Sequence, residues 1–175
     1  ASIDGTGDIV EFIRKGIVWE EWLENFKEGL AAPGGKDRMR FDLTITGPGM
    51  FSIKDLFDLS LELDVRIETK IMFAFHPDII FSPFAWPKHI LARKIDELLE
   101  YIEPRATGKQ ATLVNTLREM RNRPSFEEQY PDEFVQGKKS GKGFQDRLDE
   151  IRDEKITIAD IYKADNELYE WWTTQ

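Results

Sequence analysis

Apolar and polar residues alternate in three stretches of the first 75 positions. Ala1-Ser2-Ile3-Asp4-Gly5 reads as a short strand, cut off at its C-terminal end by Gly and Thr. Within 38–46, Met39, Phe41, Leu43 and Ile45 fall at every second position, the pattern of a strand with one apolar face. The run 65–75 is a third strand that becomes wholly apolar toward its end, which predicts cover on both faces. Helical spacing separates the three. A short helix over 8–15 is closed by Gly16, and Trp22, Leu23, Phe26 and Leu30 share one face of a helix over 19–31. Ser52 is placed to cap a helix over 53–63, with Asp55 three residues on. Strand, helix, strand, helix, strand predicts an α/β fold with a parallel sheet.

From His76 the pattern changes. Positions 76–87 are rich in proline and aromatic residues and read as a loop. A strongly amphipathic helix follows over 88–102, and another over 110–121. The stretch 124–143, ending Gly-Lys-Lys-Ser-Gly-Lys-Gly, reads as a mobile linker. The remainder is a charged helix over 146–154 and a helix or pair of turns over 157–172. The chain therefore divides into a sheet-bearing part (1–87), a helical extension (88–123), the linker (124–143) and a C-terminal helical segment (144–175).

Composition narrows the function. The formal net charge of −9 argues against a general nucleic-acid-binding surface, which needs clustered Lys and Arg. No stretch approaches the roughly 20 apolar residues of a membrane span. The chain has no Cys, so it can form no disulfide, thiolate metal site or thiol nucleophile; this is consistent with a cytoplasmic origin. With two His, a multi-histidine metal site is also excluded.

Ser2-Ile3-Asp4-Gly5 followed by Phe12-Ile13-Arg14-Lys15-Gly16 resembles the Ser-x-Asp-Gly … Tyr-Ile-Arg-x-Gly pattern of radical S-adenosylmethionine enzymes. Trp19 to Asn25, the strand over 41–46, His76-Pro77 with Phe81-Ser82-Pro83 and Pro87-Lys88, and Leu148-Asp149-Glu150-Ile151-Arg152 continue in the order of the branch with a SPASM- or twitch-type extension. The resemblance implies the C-terminal half of a partial (β/α)6 TIM-like barrel, this chain supplying three of six parallel strands plus a helical appendage. It implies S-adenosylmethionine and a 4Fe–4S iron–sulfur cluster in the whole oxidoreductase. It also implies the missing N-terminal half of the barrel as partner and a peptide or small-molecule substrate. The family's three-cysteine loop and Gly-Gly-Glu motif are absent, so this chain alone is not expected to be active. A non-catalytic α/β binding or interaction module that has lost the cluster is the alternative.

By this resemblance Ser2 and Arg14 hold the ribose or the amino-acid end of the cofactor. A guanidinium forks onto carboxylates and a hydroxyl bonds to ribose, which fits that chemistry. Arg14 pairing with Asp8 or Glu11 is equally open. Asp4 shares the face of Ser2 by its period of two, or caps the next helix. Gly47, in Gly47-Pro48-Gly49, permits close approach of a ligand to a strand end, or is a plain turn. Met72 and Phe73, with Phe75, offer an apolar shelf for an adenine or belong to the core. His76 and Asp78 are the weak candidates for proton transfer, against a role in stabilising the turn around Pro77. Trp171-Trp172 covers a core edge or meets a partner.

Overall fold

The computed structural model describes residues 1–73, 78–151 and 155–174. Its three strands, β1 (Ser2–Ile3), β2 (Phe41–Ile45) and β3 (Ile67–Ile71), form one parallel sheet in the order β1-β2-β3. Ser2 lies beside Asp42 and Ile3 beside Leu43; Phe41 lies beside Ile67 and Ile45 beside Ile71. Laterally paired residues share a face, so this register sorts the side chains into two sets. Ile3, Phe41, Leu43, Ile45 and Ile67 are buried on one face, with Thr69 and Ile71 partly covered beside them. The other face carries Ser2, Asp42, Thr44, Glu68 and Lys70, of which Ser2 and Lys70 are exposed and the rest half-buried. Parallel sheets are ordinarily covered on both faces. This one keeps a polar face.

Helices α1 (Gly7–Ile13), α2 (Trp19–Ala31) and α3 (Gly35–Arg38) connect β1 to β2. The apolar stripe of α2 reaches the sheet through ring contacts: Trp22 stacks on Phe26 at 5.3 Å between centroids, and Phe26 meets Phe41 at a tilt at 4.7 Å. The strand expected from residue 38 starts at Phe41, because 35–38 closes one helical turn in which the Met39 amide bonds to the Gly35 carbonyl. A 3-10 turn, Pro48–Ser52, runs straight into α4 (Ile53–Glu62). Ser52 consequently makes no side-chain cap; its hydroxyl turns back to the Gly49 carbonyl at 3.1 Å.

The third strand ends at Ile71, with Met72 and Phe73 beyond it, and positions 74 and 75 of the expected strand lie outside the described residues. β2 stops at Ile45, whose carbonyl takes the Met72 amide at 3.0 Å. Helices α5 (Lys88–Ile102) and α6 (Ala111–Asn122) follow. Lys88 Nζ donates to the carbonyls of Arg121 (2.8 Å) and Arg123, setting a cation on the C-terminus of α6. Desolvation at that site lowers the Lys88 pKa.

The stretch 124–143 is a correction to the sequence reading. It contains α7 (Phe126–Gln129), opened by a Ser125–Glu128 capping box, and most of α8 (Pro131–Ile151). The glycines there do not all serve flexibility. A Cβ on Gly137 would come within 3.3 Å of Ile79, so the small residue lets α8 approach the 3-10 turn Asp78–Phe81. Helices α9 (Ile158–Tyr162) and α10 (Asn166–Thr173) complete the chain. Tyr162 is fully buried and accepts from Trp86 Nε1 at 3.1 Å, and Trp172 packs edge-on against it. Arg93 on α5 donates from Nη2 to both carboxylate oxygens of Asp165, the cap of α10, at 2.9 and 3.0 Å. One cluster of buried apolar residues runs from Ile3 to Trp172. Among the described residues no helix is long and apolar enough to cross a membrane.

Gly143 lies inside α8 with open space where its Cβ would stand. Gly143→Ala therefore raises the unfolding free energy by about 0.5–1 kcal/mol in urea titrations, by restricting the unfolded chain. An unchanged midpoint would contradict a helix across 131–151.

Candidate functional site

Beyond Ile3, β1 delivers Asp4 to the sheet's C-terminal rim. Its side chain is only 6% exposed. The backbone at this point is pinned by the loop after β2: a Cβ on Gly49 would lie 2.4 Å from the Asp4 carbonyl, so only glycine fits there. The Gly49 amide also donates to Thr46 Oγ1 at 3.0 Å, which holds the loop against the strand end.

A carboxylate this buried is costly unless a cation and hydrogen bonds meet it. Arg14 does so. It sits one residue past α1, its amide still bonded to the Val10 carbonyl at 2.8 Å, and points its guanidinium back to β1. Nε donates to Asp4 Oδ2 and Nη2 donates to Asp4 Oδ1 at 3.3 Å, while Nη2 also reaches Ser2 Oγ at 2.8 Å. The bond to Asp4 raises the Arg14 pKa above its ordinary value, against a smaller opposing effect of burial. Arg14 keeps 37% of its side chain exposed, so the cluster borders solvent.

Three of the sequence candidates, Ser2, Asp4 and Arg14, therefore converge. The alternative partners of Arg14 are engaged elsewhere: Glu11 accepts from the Trp19 amide (2.9 Å) and from Lys155 (2.8 Å), and Asp8 lies 3.8 Å from Lys155. Hydrogen bonds from Lys155 and the Trp19 amide lower the Glu11 pKa. Across the polar sheet face, Ser2 neighbours Asp42, and Asp42 neighbours Glu68. Glu68 accepts from Thr112 Oγ1 at 3.3 Å. The next row pairs Thr44 with Lys70.

The other candidates are placed differently. Gly47 is buried with its would-be Cβ 3.0 Å from Trp86 Nε1 and 3.1 Å from the Tyr162 hydroxyl, so its close approach is to the protein's own aromatic pair. Met72 is half-buried just past β3. Phe73 is 50% exposed, stacked on Phe84 at 5.2 Å with the Arg123 guanidinium 5.3 Å from its ring. Neither lies in a strand covered on both faces. His76, and Phe75 with it, fall outside the described residues; the backbone of Asp78 opens the turn Asp78–Phe81. Among the described residues no group of three or more His, Asp or Glu is placed to hold a metal ion.

The sequence reading missed a second cluster. On α8, Lys138 Nζ sits 3.7 Å over the Trp171 ring and Lys142 Nζ 5.5 Å over Trp172. The signal was the four-residue spacing of Phe134, Lys138 and Lys142, which is visible only once this stretch is read as helix.

Arg14→Met leaves the Asp4 carboxylate buried without its cation. Stability falls by about 1–3 kcal/mol, below the fully buried case because Arg14 is partly exposed. Adding Asp4→Asn recovers part of the loss in a double-mutant cycle. Additive losses would show that the two side chains are uncoupled. In comparisons with known proteins, the chain matches no family, no curated protein and no solved structure.

Proposed function

We propose that this chain supplies the last three strands of a partial (β/α) barrel of the radical S-adenosylmethionine type. Ser2, Asp4 and Arg14 then contact the cofactor, and the polar sheet face forms part of the substrate wall. The two-sidedness of the sheet carries this assignment. Barrel strands alternate between an outer face packed on helices and an inner face turned to the interior. Here Ile3, Phe41, Leu43, Ile45 and Ile67 behave as the outer set, and Ser2, Asp42, Thr44, Glu68 and Lys70 as the inner one. Two further features support it. Strand β1 lies at a sheet edge, where another strand can pair. Asp4, with the Arg14 guanidinium on it, follows the C-terminal end of β1, the kind of position where barrel enzymes place their sites.

The residues present do not fit an iron–sulfur cluster, because thiolates ligate such clusters and the chain has no Cys. Those ligands must come from outside these 175 residues. The residues do fit one part of S-adenosylmethionine, which when bound supplies a hydrogen-abstracting carbon radical. Asp4 already balances the Arg14 charge, so the cluster suits the neutral hydroxyls of a ribose better than a second carboxylate. The exposed Ser2 hydroxyl is the group that reaches the ribose, and Arg14 fixes its orientation through Nη2. Asp42, Glu68 and Lys70 give the adjoining wall both signs of charge, which suits a polar substrate such as a peptide.

Calorimetric titration with S-adenosylhomocysteine tests the proposal, on the chain within the polypeptide its gene encodes. Saturable binding is expected, weakened about 2–10-fold by Ser2→Ala, the worth of one hydrogen bond. Absence of saturable heat, or a Ser2→Ala variant that binds unchanged, overturns it.

A further inference from the structure

Helices α7, α8 and α10 enclose an open groove of about 650 Å³, lined by Phe134, Val135, Lys138, Lys142 and Trp171 among others. That volume is within the range of small-molecule sites. None of its lining residues belongs to the sheet or to the Ser2–Asp4–Arg14 cluster. Its wall sets Phe134, Val135 and Trp171 beside charged residues of both signs, Glu127 and Asp146 among them, and Val135 stands 67% exposed at its side.

The two lysines that face the tryptophans differ in their partners. Lys142 is neutralised by Asp146, 2.8 Å away on the next turn. Lys138 has no ion pair among the described residues; its ammonium rests on the Trp171 ring and feels Glu127 only at a distance. Burial pushes its pKa down to about 8. A cation that is partly desolvated, beside an apolar surface and without a counter-ion, is stabilised by an arriving carboxylate, which forms a charge-assisted hydrogen bond where none exists. The rest of the chain repels anions, since its net charge is −9, so Lys138 is a local exception on an acidic molecule.

We propose that this groove binds a small organic acid, an aliphatic or aromatic carboxylate. Its carboxylate meets Lys138 Nζ and its apolar body lies against Phe134, Val135 and Trp171. Ring, ammonium and helix face supply both halves of such a ligand, because the i and i+4 positions of Phe134 and Lys138 put apolar and cationic contacts on one line. The assignment is independent of the barrel reading and stands or falls separately.

The test uses octanoate and 1-octanol as matched probes, followed by NMR of the Trp171 indole N–H. Octanoate is expected to shift that signal saturably and to bind at least about tenfold more tightly than 1-octanol, the order of a charge-assisted bond. Lys138→Met removes the difference between the probes while leaving 1-octanol binding in place. Val135→Trp, at an exposed position, fills the groove and abolishes both. Equal affinities for the two probes, octanoate binding that survives Lys138→Met unchanged, or no saturable shift at all overturns the proposal.

Discussion

The molecule depends on one constraint: a short parallel sheet whose register puts every large apolar side chain on the same face. Ile3, Phe41, Leu43, Ile45 and Ile67 form that face, and a one-residue slip of any strand would carry its set into the polar side. Helix packing follows from it, with the aromatic rings of α2 descending onto Phe41. So does the burial of Asp4, which the strand delivers to a rim that the loop at Gly49 closes from behind. Once Asp4 is buried, Arg14 has to return from the end of α1 to meet it. The cluster proposed for cofactor contact is thus also part of what holds β1 in place.

Much of this was legible in the chain itself. Helices over 19–31 and 88–102 begin and end where amphipathic spacing placed them, because both stripes are long and sharply punctuated. The parallel direction of the strands followed from their alternation with helices. Failures came where a local signal had two physical meanings. Glycines at 137 and 141 suggested a linker, yet Gly141 is buried in a helix and Gly137 admits Ile79. Ser125 and Glu128 write the start of α7, and Pro131 at the first position of α8 marks the start of the longer helix. The apolar run after Ile71 promised more strand, but β2 ends at Ile45 and the carbonyls of Thr46 and Gly47 turn to the Met50 amide. Whether Arg14 chose Asp4, Asp8 or Glu11 was a tertiary question that spacing along one helix does not answer.

The two sites differ in electrostatic character. At the sheet rim, the guanidinium is already matched by a carboxylate, leaving a nearly neutral patch with an exposed hydroxyl. In the α8 groove, the Lys138 ammonium makes no ion pair among the described residues and rests on the Trp171 ring. The proposals of neutral hydroxyl recognition at one site and anion recognition at the other rest on that contrast.

The absence of Cys from the natural chain makes single introduced thiols a direct probe of the sheet. Thr44→Cys and Lys70→Cys place a thiol on the polar face, and Leu43→Cys places one on the apolar face. Alkylation rates should be high for the first two and negligible for the third. S-adenosylhomocysteine, added to the chain in its whole polypeptide, should slow labelling at 44 or 70. Unreactive thiols at 44 and 70 in the free chain, or reactive ones that the nucleoside never protects, would contradict the account of this face as the inner wall of a nucleoside-binding barrel.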